Sequence, residues 1–351
     1  MQSVRKITRF DLFLILPVFF LIVFSLITLT SIAGHLFPTY YFYIGLGIIS
    51  FFIFARIDFG LISLFSKHFY VLSVVFLVLP LLIGQVTRGV VRWIPLGDSS
   101  LQPAELVRPF LIIFFANLMV TTKLNLSGMV RSLLLLLLPT YLILVQPSLG
   151  VAVMTIIAFV GVILSSGVNK KYFLFGIIVL AICFPLVLHF LAPYQRERVI
   201  TFLNPNSDPL GAGYNSIQSK IAVGSGKLFG RGLGRGVQTQ LAFLPERHTD
   251  FIFASISEEM GFVGSSLVLI ALFFILWRIS RYMENPASPV ARAFLTGVFF
   301  VFFFQIVINV GMNIGLIPIT GLPLPLVSAG GSSFLSSMIM LGMCQGARKH
   351  T

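Results

Sequence analysis

The chain has 351 residues, 57% of them hydrophobic and 10% charged, with a mean hydropathy of +1.00. Values this far from soluble norms exclude an ordinary globular domain and leave a polytopic membrane protein. The formal net charge of +13, from 24 Lys and Arg against 11 acids, would suggest nucleic acid in a soluble chain. Here the enrichment of Lys and Arg in cytoplasmic loops accounts for it, and no nucleic-acid partner is expected.

Crossing the hydrocarbon takes roughly 17–25 mostly apolar residues in a helix. Ten spans are expected, near Leu12 to Ala33, Tyr40 to Ala55, Phe69 to Ile83, Leu106 to Val120, Leu133 to Val145, Leu149 to Ser165, Phe173 to Ala192, Glu258 to Trp277, Ala291 to Ile317 and Leu326 to Gly346. The first is too long for the apolar core of a signal peptide and reads as a retained span. The expected fold is therefore an all-α polytopic membrane protein, one transmembrane domain over residues 1–351, without internal repeats or a soluble domain. Cys183 and Cys344 lie inside apolar runs, without disulfide or metal spacing, and read as small packing residues.

Basic residues mark alternate loops: Arg5, Lys6 and Arg9 before the first span, then Arg56 and Lys67, Lys123 and Arg131, Lys170 and Lys171, Arg278, Arg281 and Arg292, and finally Arg348 and Lys349. Both termini are thus expected in the cytoplasm. The long polar loop between spans 7 and 8, residues 193–257, carries basic residues too, but long loops translocate regardless of charge. It is expected outside the cytoplasm, together with the stretch from Gly84 to Glu105, the Gln146-Pro-Ser turn, and Pro318 to Pro325.

Loops of that length without disorder or function are uncommon, and this one lacks the composition of a disordered linker. Gly224-Ser-Gly-Lys227 has the look of a phosphate loop, but Ile221 and Leu228 stand where the motif needs Gly and Ser or Thr. No dinucleotide fingerprint occurs either, so no nucleotide is expected. Residues 211–220 fit a short amphipathic surface helix, serving as a lid or as packing. Asp250 closes the polar run Leu244-Pro-Glu-Arg-His-Thr-Asp250 just before the apolar Phe251-Ile-Phe-Ala. A half-dry carboxylate suits a general base, and it equally suits a helix N-cap; both readings are open. Ser255 with Glu258 makes a capping-box pattern, so Glu258 reads as structural. His248 has no His or Cys partner at ligand spacing and reads as a hydrogen-bonding wall residue.

A second polar cluster runs from Arg88 and Arg92-Trp93 to Gln102-Pro-Ala-Glu105-Leu-Val-Arg108. A lone ionisable group facing lipid costs about 2.5–3.5 kcal/mol, so these groups must face water or one another. Glu105 and Arg108, three apart on one helix, are placed to pair, either as a structural bridge or as a substrate contact.

These motifs resemble the SEDS family of shape, elongation, division and sporulation proteins, and its RodA branch more than its FtsW or SpoVE branches. The resemblance extends over Arg92-Trp-Ile, Gln102-Pro-x-Glu105, Gln146-Pro, Asp208-Pro-Leu-Gly-x-Gly-Tyr214, Leu244 to Ala254, and Thr320-Gly-x-Pro-Leu-Pro325 to Ser333. It implies a peptidoglycan glycosyltransferase polymerising lipid II at the outer face of the bacterial cytoplasmic membrane, for elongation and shape. Inversion at the anomeric carbon with Asp250 as base is part of that expectation. So is a divalent cation, Mg or Mn, with Asp250 as a candidate ligand. Arg92, Gln102, Glu105, Arg108, Lys220, His248 and Ser328 are the expected substrate-binding residues. The implied partner is a class B penicillin-binding protein docking through spans 8 and 9, where Phe299, Phe300, Phe302, Phe303 and Phe304 could equally face lipid. Ser148 stands where the family usually has an acid, which puts any mechanism needing that acid in doubt. Two other functions compete: a lipid II flippase, for which buried polar groups would line a path, and a non-catalytic scaffold, which would leave the polar outer motifs without purpose.

Overall fold

The structure, a computed structural model, describes residues 10–83, 85–87, 90–97, 99–122, 126–167, 174, 178, 198, 200–204, 208–209, 211 and 213–348. The expected seventh span, with Cys183, lies outside the described residues. Every other expected span has a helical counterpart. These are α1 (Leu12–Ile32), α2 (Phe37–Arg56), α4 (Ser66–Ile83), the successive α5 (Pro103–Leu106) and α6 (Arg108–Thr121), α7 (Leu126–Val145), α8 (Leu149–Ser165), α11 (Ile252–Glu284), α12 (Pro289–Asn313) and α13 (Gly331–Ala347). Short helices α3 (Phe59–Leu64), α9 (Tyr214–Ser225) and α10 (Val237–Gln240) fill connections. Among the described residues seven helices are long and apolar enough to cross a membrane, and α8 is a shorter apolar one.

Helix starts follow local chemistry. Asp11 caps α1 by accepting from the Phe13 amide at 3.0 Å. Ser288 caps α12 by accepting from Ala291, with Pro289 in the first turn, where a missing N–H costs nothing. The bundle is knit by α13 along α2, α12 along α8 and α6, and α11 against α1 and α12. Without a hydrophobic drive between helices in lipid, close packing over small residues holds such contacts. A methyl at Gly342 of α13 would meet the Phe51 carbonyl of α2 at 2.6 Å.

Four boundaries differ from expectation. The fifth span begins at Leu126, because Ser132 is buried with its hydroxyl donating back to the Gly128 carbonyl, while Ser127 and Arg131 face outward from the added turns. The last span begins at Gly331; residues 326–330 are a non-helical connection opened by Leu326 at φ 64°. The capping box does not form: α11 already starts at Ile252, so Ser255 is inside the helix and donates to the Arg247 and Phe251 carbonyls. Asp250 is not the cap either, since that position belongs to Phe251. The region between α4 and α5 holds a small antiparallel sheet, β1 (Gln85–Thr87), β2 (Val90–Leu96) and β3 (Ser99–Leu101). Its β2–β3 turn uses Gly97 at φ 60°, and Tyr43 of α2 donates to the Ser100 carbonyl at 2.8 Å.

The largest departure is a break inside α11. Gly261 sits at φ 68°, ψ −161°, a conformation open essentially to glycine alone. The break frees backbone groups that lipid could not satisfy. The segment 227–232 inserts there: Arg231 and Gly232 donate to the Glu258 and Glu259 carbonyls at 2.9 and 3.0 Å, while Phe262 and Val263 donate to Lys227 and Leu228 at 2.9 and 3.1 Å. A methyl at Gly226, Gly230 or Gly261 would overlap backbone atoms of the opposite segment.

Candidate active site

The turn 244–250 is specified through its backbone. From Glu246 to Asp250 each carbonyl accepts a hydrogen bond. Thr249 and Phe251 donate to Glu246, Ser255 to Arg247, Ala329 to His248 at 2.9 Å, Ser328 to Thr249 at 2.7 Å, and Asn309 and Asn313 to Asp250 at 3.1 Å each. Glu246 itself adopts φ 52° without being glycine, a conformation costing about 1–3 kcal/mol that persists only where surroundings over-determine it. The result is a pinned main chain with its polar side chains turned to the half-buried face.

Asp250 is half-buried beside Gly321, whose φ is 71°. A methyl on Gly321 would stand 3.4 Å from Asp250 Oδ2 and 3.9 Å from Arg198 Nη1. Arg198 donates to the Ile319 carbonyl at 3.2 Å, so a guanidinium and a carboxylate share this glycine corner. His248 is partly exposed, with Nε2 3.9 Å from Glu246 Oε2. Ser328, besides clasping Thr249, accepts from the Leu324 amide at 2.8 Å. Ser328 and Ala329 thus fasten the main chain of Thr249 and His248, and Arg198 shares the Gly321 corner with Asp250. Arg198 is not among the expected site residues; in the sequence it closes the polar run Tyr194-Gln-Arg-x-Arg198.

The second expected cluster is packed inside the bundle. Glu105 and Arg108 pair at 2.7 Å with almost no exposure, and Arg108 Nη1 donates to Gln305 Oε1 at 3.4 Å. Ser336 donates to the Glu105 carbonyl. Gln102 donates through its backbone to Ser332 and through Nε2 to Ser148 at 3.2 Å, so Ser148 serves as a neutral partner where an acid was expected. Arg92 lies on β2 with its guanidinium 5.5 Å from the Trp93 ring centre. Lys220, on exposed α9, lays its aliphatic stem over Gly315 just beyond α12. Of the seven expected binding residues, His248 belongs to the turn that carries Asp250 and Ser328 is bonded to that turn, Gln102, Glu105 and Arg108 form a closed interior group, and Arg92 and Lys220 stand apart from both.

Glu258 and Glu259 are buried, and both are fully engaged. Glu258 accepts from the Gln238 and Thr239 amides at 2.9 and 3.0 Å, capping α10 from outside the helix. Glu259 accepts from Ser31 at 2.7 Å and Gln240 at 2.8 Å. Among the described residues no three His, Cys, Asp or Glu side chains gather in a metal-holding group. Among the described residues Asp250 offers a single carboxylate at this corner, beside the Arg198 guanidinium.

The family profile described as "Cell cycle protein", covering FtsW, RodA and SpoVE, matches residues 5–351. The chain belongs to this SEDS family. The SEDS relatives include the peptidoglycan glycosyltransferase MrdB of Escherichia coli K12, 36% identical over 312 residues, 88% of this chain and 84% of the relative. Stage V sporulation protein E of Bacillus subtilis is 35% identical over 314 residues, 88% and 85% of the two chains. Among solved structures, one chain of a peptidoglycan synthase complex that coordinates polymerization and crosslinking superposes with a TM-score of 0.83 at 29% identity, covering 96% of this chain and 97% of its own. The rod-shape-determining protein RodA of Thermus thermophilus gives a TM-score of 0.72 at 26% identity, with 96% of each chain covered. This SEDS chain is thus an all-α multi-pass membrane protein over nearly its whole length.

Proposed function

We propose that this SEDS chain is a peptidoglycan glycosyltransferase that polymerises lipid II at the outer face of the cytoplasmic membrane for cell elongation and shape. The observation carrying the reading is the Asp250 corner: a half-buried carboxylate on a pinned main chain, sharing the positive-φ Gly321 with a guanidinium. In this mechanism the acceptor's C4 hydroxyl attacks the anomeric carbon of the donor. Its proton passes to Asp250, the new glycosidic bond forms with inversion, and the bond to undecaprenyl diphosphate breaks. Arg198 suits the developing charge on the leaving diphosphate, because a guanidinium can contact phosphate oxygens in bidentate fashion. Of this chemistry the residues here supply the base and the guanidinium.

The buried Glu105–Arg108 pair is the feature a flippase reading would use. The cavity beside Arg108 measures about 10 Å³, at the lower limit of what holds one water. The pair is better read as a structural bridge than as a substrate contact. In orientation, both termini lie in the cytoplasm and the Asp250 end faces outward, as the alternation of basic loops supports. The partner is a class B penicillin-binding protein whose single span docks on α11 and α12, a reading supported by the synthase complex to which the chain is similar. Of the Phe residues on α12, Phe302 is core whereas Phe303 is 42% exposed, so only part of that face is free for a partner.

The test is polymerisation of lipid II by purified protein, with Asp250→Asn alongside. The amide keeps shape and removes the proton acceptor. Product should fall by about 10²–10⁴-fold, the usual acid–base contribution, while lipid II binding persists. Near wild-type glycan from Asp250→Asn would remove Asp250 from the mechanism.

A further inference from the structure

The helix α12 is apolar and Phe-rich, yet it buries three amides at i, i+4 and i+8: Gln305, Asn309 and Asn313, exposed by 1%, 0% and 0%. That spacing places them on one face. A buried amide left without partners in an apolar setting is costly, so a stripe of three calls for dedicated acceptors. Each amide reaches outside its own helix to a main-chain group. Gln305 Nε2 donates to the Pro323 carbonyl at 2.9 Å. Asn309 Nδ2 bridges the Leu322 carbonyl at 2.7 Å and the Asp250 carbonyl at 3.1 Å. Asn313 Nδ2 donates to the same Asp250 carbonyl at 3.1 Å, and its Oδ1 accepts from the Ala254 amide at 3.1 Å. The Ala254 amide is one of the first donors of α11, which lack intrahelical acceptors, and Phe251 provides no side-chain cap for them.

Asn309 thus holds both walls of the corner at once. On one side is the residue carrying the carboxylate; on the other is Leu322, next to the Gly321 over which that carboxylate stands. Asn313 fixes the start of the half-helix that follows Asp250. Gln305 continues the stripe to Arg108 and so to Glu105. We propose that Asn309 and Asn313 are positioning residues that set the distance of Asp250 from the 319–323 turn, with Gln305 tying the buried Glu105–Arg108 pair into the same scaffold. The inference rests on the reading of Asp250 as the general base. A base oxygen must lie within about 2.6–3.2 Å of the hydroxyl oxygen whose proton it takes, and a misplacement of about 1 Å can cost on the order of 10²-fold. The stripe acts on that distance without touching substrate.

The experiment uses the full-length protein in detergent with lipid II, measuring kcat and KM together with thermal melting. Asn309→Leu keeps size and removes the donors. As a stability match, Ser257→Ala removes a buried hydroxyl that donates to Phe253 and pairs with Ser265 at 2.8 Å in the same helix, away from the corner. The expected result is a fall in kcat of about 10- to 100-fold for Asn309→Leu, with KM within about twofold. Ser257→Ala should melt at a similarly lowered temperature and keep its kcat. Asn313→Ala, which leaves one donor on the Asp250 carbonyl, should lie between Asn309→Leu and wild type, and it stands in if Asn309→Leu does not fold. Retained kcat in the folded Asn309 and Asn313 variants overturns the proposal, as does an equal loss in Ser257→Ala. An inactive wild type in the same assay would instead overturn the glycosyltransferase reading, and the inference with it.

Discussion

Replacing Gly261 by Ala tests whether the inserted segment 227–232 holds the site half of α11 in place. The backbone at Gly261, φ 68° and ψ −161°, costs a non-glycine residue about 1–3 kcal/mol. The added methyl would also meet the Gly230 amide nitrogen at 2.3 Å and the Leu228 carbonyl oxygen at 2.5 Å, and backbone atoms cannot swing aside as a flexible side chain could. Relief requires the segment to withdraw, which puts at risk the four hydrogen bonds of Lys227, Leu228, Arg231 and Gly232 with α11. At about 0.5–1.5 kcal/mol net each, these contribute roughly 2–6 kcal/mol. The strain and the bonds are alternatives more than additions, so the expected penalty is about 2–5 kcal/mol. Hydrogen exchange in detergent would read it locally, as faster exchange of the Arg231, Gly232, Phe262 and Val263 amides, with α2 and α13 unchanged. Polymerisation should fall in parallel. Unchanged protection at those four amides would falsify the insertion as a structural element.

Arg108→Met should lower stability by about 3–5 kcal/mol by stranding the Glu105 carboxylate, whereas the double variant Glu105→Leu with Arg108→Met should melt near wild type, as replaced buried pairs commonly do. A double variant as unstable as the single one would refute this. At the other end of the bundle, burial opposes ionisation of Asp11, yet hydrogen bonds from Tyr282 and Arg278 and the Arg278 charge hold its carboxyl below the ordinary aspartate range. Because the folded value is the lower one, its stabilisation is full above the free aspartate value of 3.8 and is lost as pH falls through the folded value. Melting curves of Asp11→Asn should accordingly lose part of the acid dependence seen in wild type. For topology, a single cysteine at Ser207 should react with an impermeant reagent in intact cells and one at Ser288 should not; the reverse pattern would invert the orientation.

Much of the architecture was legible because hydropathy windows and helix caps are local properties, and Asp11, Asp58 and Ser288 do cap their helices. The break at Gly261 was not, because its cause is a segment some thirty residues earlier whose glycines look like flexible loop. Asp250 stood out through its position between polar and apolar runs. The capping pattern at Ser255 and Glu258 misled, since the helix had already begun at Ile252 and Glu258 caps a different helix. The Gln305, Asn309 and Asn313 stripe was readable in principle from its four-residue spacing, but the surrounding Phe residues drew attention to lipid and partner contact instead. Arg198 could not be placed from sequence, because only the fold brings it to Gly321.

The contacts at the two ends of α1 bear on how the protein sits in bilayers of different thickness. Near one end Asp11 is held by Arg278, Tyr282 and Arg348; near the other, Ser31 and Ile32 are held by Glu259, Gly234, Gln240 and Arg247. Its 21 residues span about 32 Å, close to a hydrocarbon core of about 30 Å. A strut anchored at both ends to the same neighbour, α11, cannot stretch or slide to meet a thicker or thinner membrane. The remaining response to mismatch is tilt of the two helices as a pair. The depth of Asp250, two residues before α11, is thereby set by the length of α1, and lipid chain length becomes a lever on where that carboxylate meets the headgroup region.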